Sequence, residues 1–159
     1  MANDTVKING QITLHDYLMA HWLHAGRSYV VAVAAIVTFS FLTYAFWLHS
    51  LLVLFISVGA ALFFTLTVPL RLRRNFARYK ALSVPYEIEI TPEVLRHTST
   101  IGSGEQRWEV FTKWKQSKDL ILLYQSSMLF NVIPKHYFSS EQQISEFISF
   151  LEAQLGKAA

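Results

Sequence analysis

The chain has 159 residues, 52% of them hydrophobic, with 14 Lys and Arg against 11 Asp and Glu and a formal net charge of +3. This mild positive balance does not indicate nucleic-acid binding. The absence of cysteine excludes disulfides, thiol nucleophiles and thiolate metal sites. The length leaves room for one small domain beside a membrane-spanning segment.

Segment 1–27 is expected to hold a strand or small turn followed by a short amphipathic helix. Its early apolar residues occupy even positions: Val6, Ile8, Ile12 and Leu14. Thr13 can cap the helix that follows, which is expected to end at Ala25-Gly26. Tyr17 and Trp22 suit a position at a membrane surface. Packing of this helix on a soluble domain explains the same pattern, and both interpretations stay open.

The stretch from Ser28 to Leu70 contains no Asp, Glu, Lys or Arg. As one straight helix, its roughly 43 residues would extend about 64 Å. That is twice the ~30 Å hydrocarbon core of a bilayer. The strongly polar pair His49-Ser50 lies at its midpoint. Segment 28–70 is therefore predicted to be a transmembrane helical hairpin with spans at 29–48 and 51–70.

Small residues in the second span, at Ser57, Gly59 and Ala61, are candidates for close helix packing. Pro69 is expected to break or bend this helix as it leaves the bilayer.

Basic residues flank one side of both spans. Arg27 precedes the first span, and the second span is followed by Arg71, Arg73, Arg74, Arg78 and Lys80. The turn at His49 has no Lys or Arg nearby, so the positive-inside rule predicts cytoplasmic termini. Segment 71–85 is predicted to be a basic cytoplasmic linker, whose charges would also attract anionic lipid.

From Tyr86 onward the hydrophobic pattern is typical of strands. The predicted strands are Tyr86–Ile90, Val94–Ile101, Leu120–Tyr124 and Met128–Ile133. Gly102-Ser103-Gly104 is predicted to form a hairpin turn. Trp108, Phe111 and Trp114 recur every third residue, which predicts a turn of α- or 3₁₀-helix. The spacing favours an antiparallel meander.

The last element is predicted to be an amphipathic helix over 139–155. Ser139 and Gln142 form a candidate capping box, and Gly156 is placed to end the helix. One face carries the apolar residues Ile144, Phe147, Ile148, Leu151 and Leu155. The fold class is therefore an α+β membrane protein, with a helical hairpin and a small antiparallel sheet domain closed by a C-terminal helix.

These elements and several short motifs resemble the YcxB-like proteins, bacterial membrane proteins whose C-terminal domain is a pleckstrin-homology-like (PH-like) sheet with a helix. The motif residues are Trp108, Ile133, Pro134, Lys135 and Phe138. His15-Asp16-Tyr17 resembles the family's N-terminal Asp-Tyr element. The resemblance implies a two-helix anchor and a PH-like domain over 86–159. It implies no reaction and no catalytic residue.

Three histidines are the only candidate metal ligands with helical spacing: His15, His21 and His24. No cysteine or carboxylate pair joins them, so surface or interfacial histidines are expected rather than a metal site. The glycines at 102 and 104 lack the spacing of a phosphate-binding loop and of a nucleophile elbow. No cofactor or catalytic residue is predicted.

These features predict a non-enzymatic protein of the bacterial inner membrane, whose small domain binds a partner protein or lipid headgroups. One alternative is an enzyme, or enzyme subunit, that acts at the membrane surface through His15, Asp16 and His21. Another is a structural subunit that assembles through its hairpin, as a homo-oligomer or with a protein partner.

Overall fold

The computed structural model describes residues 5–44, 51–79 and 84–158. The elements are β1 (Val6–Gly10), α1 (Leu14–Thr43), α2 (Leu51–Arg78), β2 (Tyr86–Ile90), β3 (Val94–Ser99), β4 (Gly102–Arg107), β5 (Lys113–Gln116), β6 (Leu120–Tyr124), β7 (Phe130–Pro134) and α3 (Glu141–Leu155). Short 3₁₀ turns follow β4, at Trp108–Val110, and β7, at Lys135–Tyr137. The predicted α+β class, with antiparallel strands and a C-terminal helix, is confirmed.

The chain forms two compact units. One unit, called here the sheet domain, combines Met1–Ala20 with Tyr79–Ala159, and the other is the helical segment His21–Arg78. The sheet domain is therefore assembled from both ends of the chain, and the helical segment is an insertion between β1 and β2.

Both long helices extend further than the sequence pattern indicates. Instead of ending at Gly26, α1 continues to Thr43, with a 59° bend between Leu14–Gly26 and Ser28–Thr43. Likewise, α2 continues through Pro69 to Arg78. Proline removes one helical hydrogen bond, whereas the Arg, Leu and Ala residues that follow it favour a helix. The predicted turn at His49-Ser50, the last four residues of the predicted first span (45–48) and Lys80 lie outside the described residues.

Apolar side chains cover the outside of these helices. The segment Phe55–Arg78 is long and apolar enough to cross a membrane, with a mean hydropathy of 1.7 and none of its apolar window buried. The two parts of α1 would provide a second such helix if they count as one span. The described residues therefore contain one or two candidate membrane spans.

Two antiparallel sheets build the sheet domain, in the orders β1-β2-β3-β4 and β5-β6-β7. The sequence allowed either a strand or a small turn in the N-terminal segment. The segment forms a strand, since β1 pairs with β2 and Gly10 lies opposite Tyr86. Strand β5 replaces part of the predicted helical turn around Trp114, because Trp114 pairs with Leu123 of β6.

The hairpin between β3 and β4 turns earlier than predicted. Ser99 lies opposite Gly102, so Thr100 and Ile101 form the turn, and the predicted turn at Gly102–Gly104 is wrong. Gly104 lies within β4 opposite His97, and a side chain at Gly104 would overlap the His97 ring. Gly104 is thus needed because its missing side chain leaves space for the His97 imidazole, not because the chain turns there.

Helix α3 covers one end of the sheet domain. It buries Ile144, Phe147 and Leu151 in a core that also contains Trp108 and Trp114. The Trp114 indole donates a hydrogen bond to the Gly156 carbonyl at 2.8 Å, which ties the end of the helix to β5. The predicted apolar face and the Gly156 cap are confirmed.

The N-cap of α3 lies one residue later than predicted. Ser140 accepts the hydrogen bond from the Gln143 amide at 3.2 Å, while Gln143 reaches back to the Ser139 amide at 2.8 Å. The capping box therefore uses Gln143 rather than Gln142.

Gly10→Ala should destabilise the sheet domain, because the new methyl group would overlap the Tyr137 ring. Overpacking of this kind typically lowers the free energy of unfolding by about 1–3 kcal/mol. Thermal unfolding of the detergent-solubilised chain measures the loss. Gly26→Ala is the matched control, since its nearest neighbour, in Trp22, would lie at an ordinary 3.5 Å. Equal melting temperatures for the two variants would contradict the close approach at Gly10.

Candidate functional site

An open cleft of about 540 Å³ lies within the sheet domain. Its lining comes from Ile12, Val84, Tyr86, Ile88, Leu95, His97, Ser99, Ile101, Gly102, Ser103, Phe130, Asn131, Val132 and Ile133. This volume falls in the range of small-ligand pockets. The cleft is therefore the first candidate for a binding site.

The lining pattern locates the cleft relative to the strands. Successive side chains of a strand point to opposite faces of its sheet. From β3 the cleft contacts only alternate residues, Leu95, His97 and Ser99, so one face of β3 forms the floor. From β7 it contacts all four consecutive residues of 130–133, which a single face cannot provide. The cleft therefore runs along the edge of β7.

A side-chain hydrogen bond joins the two sheets beside the cleft. The Asn131 amide of β7 donates to the Gln106 side-chain oxygen of β4. Both strands are edge strands of their sheets in the described structure. The bond brings the edges together near Gln106, whereas nearer the β3–β4 turn the cleft contacts Gly102 and Ser103. The cleft therefore extends from this bond toward that turn.

The lining of the cleft is apolar with a few neutral polar groups. Among the described residues that line it there is no Lys, Arg, Asp or Glu. The Ser99 hydroxyl is already used, since it donates to the Gly102 carbonyl at 3.0 Å. The other polar side chains of the described lining belong to Tyr86, His97, Ser103 and Asn131. This chemistry suits an uncharged, largely apolar ligand with hydrogen-bonding groups.

A buried carboxylate lies at the start of α1. Asp16 is 2% exposed and accepts hydrogen bonds from the Thr13 amide at 3.0 Å and the Thr13 hydroxyl at 2.7 Å. In return, the Thr13 hydroxyl accepts from the Asp16 amide at 3.1 Å. This is a reciprocal capping box, so the predicted cap at Thr13 is confirmed. The other carboxylate oxygen lies 3.8 Å from Nδ1 of His136.

Two phenols lie close to this carboxylate. Burial raises the pKa of Tyr86, and Tyr137 and the Asp16 carboxylate add to the rise. Burial also raises the pKa of Tyr137 to about 12; the neighbouring Tyr86 hydroxyl opposes that rise, and Asp16 adds to it. The Tyr137 hydroxyl is buried and shows no hydrogen bond of good geometry among the described residues. Both phenols are therefore neutral near pH 7 and do not act as bases there.

Charged residues on the outer face of β1–β4 form an ion-pair network. Arg96 pairs with Glu89 at 3.0 Å and with Glu105 at 2.8 Å. Lys7 lies 3.5 Å from Glu87 and 3.6 Å from Glu89. Exposed pairs of this kind contribute little stability. They account for the positions of Glu87 and Glu89 on β2, so no catalytic role is needed to explain these carboxylates.

The remaining sequence candidates are dispersed. The basic residues Arg71, Arg73, Arg74 and Arg78 are exposed on α2. The side chain of Arg27 and all of Lys80 are outside the described structure. On α2, Ser57 and Ala61 share a helix face, whereas Gly59 lies on another, with open space around its Cα. The described residues contain no group of three metal-binding side chains, so the predicted histidines do not converge with carboxylates.

The motif residues of the resemblance have structural environments. Trp108, Ile133 and Phe138 are in the core, and the Trp108 indole donates to the Thr91 carbonyl at 2.9 Å. Pro134 ends β7. The Lys135 ammonium group donates to the Gln116 side chain at 3.1 Å.

Sequence reasoning missed the cleft and the contact between Asp16 and His136. The cleft depends on which strands lie at the edges of their sheets, and the contact joins segments far apart in the chain. Local sequence patterns predict neither. The alternation of Leu95, His97 and Ser99 was visible, but it does not specify an open edge opposite them.

Fold and site together define a small antiparallel α+β domain with a neutral edge cleft, interrupted by two apolar helices. Residues 90–151 match the model of a family described as YcxB-like protein. This match covers the chain from the end of β2 into α3 and confirms the resemblance there. No curated protein and no solved structure matches the chain.

Asp16→Ala should lower the free energy of unfolding by about 1–3 kcal/mol, because it removes the cap and leaves the Thr13 amide without its acceptor. Chemical denaturation of the solubilised chain measures this change. His136→Gln is the matched control: its side chain is 54% exposed, and such pairs contribute at most about 1 kcal/mol. A loss as large for His136→Gln as for Asp16→Ala would show that the ion pair, not the cap, is the main interaction.

Proposed function

We propose that this protein is anchored in the bacterial inner membrane by α1 and α2 and presents its sheet domain, a PH-like module, to the cytoplasm for binding rather than catalysis. The observation that carries the proposal is the exposure of the apolar helices: none of the apolar window of Phe55–Arg78 is buried by the rest of the chain.

The free energy of apolar burial supports a bilayer around these helices. Removing apolar surface from water stabilises by about 25 cal/mol per Å². The largest exposed side chains of α2 include Leu52, Phe55, Ile56, Leu62, Phe63 and Leu66. A core helix of a soluble protein would bury such residues. A hydrocarbon environment satisfies them.

The strand pairing supports an even number of crossings. Gly10, at the end of β1, lies directly opposite Tyr86, at the start of β2. The chain therefore leaves the sheet domain and returns to it at neighbouring positions. An insertion that crosses a membrane and comes back to the same point crosses it twice, which favours the hairpin. The exposed arginines after α2 favour a cytoplasmic sheet domain.

The site chemistry supports binding of a partner protein or lipid headgroup over catalysis. One oxygen of Asp16 accepts the hydrogen bonds of the cap, the other lies 3.8 Å from Nδ1 of His136, and His15 is exposed beside it. The enzyme hypothesis built on His15, Asp16 and His21 therefore has no specific observation in its favour. Assembly through α2 is compatible with the anchor and needs no separate site.

Cysteine labelling tests the topology directly, because the chain contains no cysteine. His49→Cys should react in intact cells with a membrane-impermeant maleimide that reaches the periplasm. Ser127→Cys, which is exposed in the turn between β6 and β7, should react only after lysis. Labelling of Ser127→Cys in intact cells would overturn the proposed orientation, and extraction of the chain by alkaline carbonate would overturn the anchor.

Neutralising the arginines of α2 should weaken the orientation, since the positive-inside rule depends on charges close to a span. The variant replaces Arg71, Arg73, Arg74 and Arg78 by Gln. We expect a measurable fraction of Ser127→Cys to become labelled in intact cells. The control removes the same charge within the sheet domain by replacing Lys113, Lys115, Lys118 and Lys157 with Gln. An equal rise in labelling for the arginine variant and the lysine control would contradict the prediction that charges close to the span determine the orientation.

A further inference from the structure

We propose that the cleft binds an extended, uncharged peptide segment of a partner protein, which adds as a strand to the open edge of β7. The inference deepens the proposed function and rests on it only for the location of the sheet domain: it names the chemistry of the partner and the strand that receives it. The described lining of the cleft lies entirely within the sheet domain, so the site is independent of the membrane anchor.

The hydrogen-bond register fixes which main-chain groups of β7 are available. The Gln125 amide donates to the Leu129 carbonyl at 2.9 Å, and the Lys135 amide donates to the Asp119 carbonyl at 2.8 Å. Bonded pairs alternate along an antiparallel ladder. In the register that pairs Leu122 with Val132, Val132 is then a non-bonded position. Its N–H and C=O point away from β6.

The outward direction of Val132 is toward the cleft. Val132 lines the cleft together with its neighbours on both faces, and in the described structure β6 is the only strand paired with β7. Pro134, two residues further, has the same orientation. Proline lacks an N–H, and it is tolerated where a strand edge has no neighbour. The residue pattern of β7 is therefore that of an edge strand.

The other walls suit an extended main chain with small apolar side chains. The floor consists of apolar and neutral side chains from β2 and β3, and the opposite wall is Gly102 and Ser103 of β4. An incoming strand pairs its main chain with Val132 and places alternate side chains over Ile88 and Leu95. This is the mode of β-strand addition, in which main-chain bonds supply affinity and pockets supply selectivity.

A lipid phosphate matches the cleft less well. Phosphate recognition relies on Arg or Lys donors, and the described lining has neither. None of the exposed lysines and arginines of the sheet domain is among the described lining residues, and the arginines that follow the apolar part of α2 lie outside the sheet domain. The absence of charge in the lining also disfavours acidic or basic peptides, because their side chains would be desolvated without a partner.

The test uses the full chain in lipid nanodiscs and a defined probe, the acetylated and amidated peptide Thr-Val-Thr-Val-Thr-Val-Thr. Binding is followed by the amide resonances of the sheet domain. We expect the Val132 amide to shift and its hydrogen exchange to slow. Val132→Pro removes the donor from the edge and should weaken binding at least tenfold.

The matched control is Asn9→Pro at the opposite edge of the four-stranded sheet. The Thr91 amide donates to the Val94 carbonyl at 3.0 Å, and the alternation of the ladder from that bond directs the Asn9 main chain outward from β2. This variant should bind the probe as the natural chain does. Equal weakening by Asn9→Pro and Val132→Pro would overturn the proposal, as would absence of binding by the natural chain at about 1 mM probe.

A second measurement does not depend on the folding of a variant. One variant of the probe is methylated at the amides of its three valines, and the other at the amides of the last three of its four threonines. Each variant lacks the donors of one edge of the peptide. Strand addition predicts that one methylated set loses binding and the other retains it within about threefold, because only one edge of the peptide faces β7. Equal affinities would overturn the proposal. Loss of peptide binding with an unchanged cysteine-labelling pattern would leave the membrane anchor standing.

Discussion

The pairing of β1 with β2 is the constraint on which the rest of the structure depends. It joins residues 6–10 to residues 86–90, across an insertion that contains both long helices. Closing so long a loop costs conformational entropy that grows only slowly with its length, and the ladder offsets it by burying Ile8 against Ile88 and Ile90 in the core. Without this pairing β2 would be an edge strand, and the sheet domain would lose the start of α1.

The two ends of the sheet domain differ because α3 covers only one of them. Its apolar face fills the space beside Trp108 and Trp114, and the indole bond to Gly156 fixes where the helix stops. Away from α3, the hydrogen bond between Gln106 and Asn131 joins β4 and β7, and the cleft contacts Gly102 and Ser103 of β4 nearer the β3–β4 turn. The cleft is thus a consequence of two strand edges that lie beside each other.

Local patterns predicted the elements of this fold but not its contacts. The cap at Thr13, the alternation of β2 and the apolar face of α3 were visible because each is encoded within a few residues. The β3–β4 turn was misplaced because Gly102 and Gly104 are typical of turns, whereas here Gly104 accommodates the His97 ring. The capping box of α3 was shifted by one residue because Ser139 and Ser140 are both good caps. The contact of Asp16 with His136, and the edge cleft, arise from pairing between distant segments, which a single sequence does not specify.

The charged residues of α2 and the uncharged lining of the cleft suit different binding partners. Anionic lipid attracts Lys and Arg through long-range electrostatics, and exposed arginines continue directly from the apolar part of α2. The described lining of the cleft, by contrast, offers main-chain groups and apolar surface and contains no Lys, Arg, Asp or Glu. Such a lining gains nothing from anionic headgroups. On the proposed function, α2 therefore serves the bilayer and the edge of β7 serves a protein segment, so that the two interactions can be altered independently.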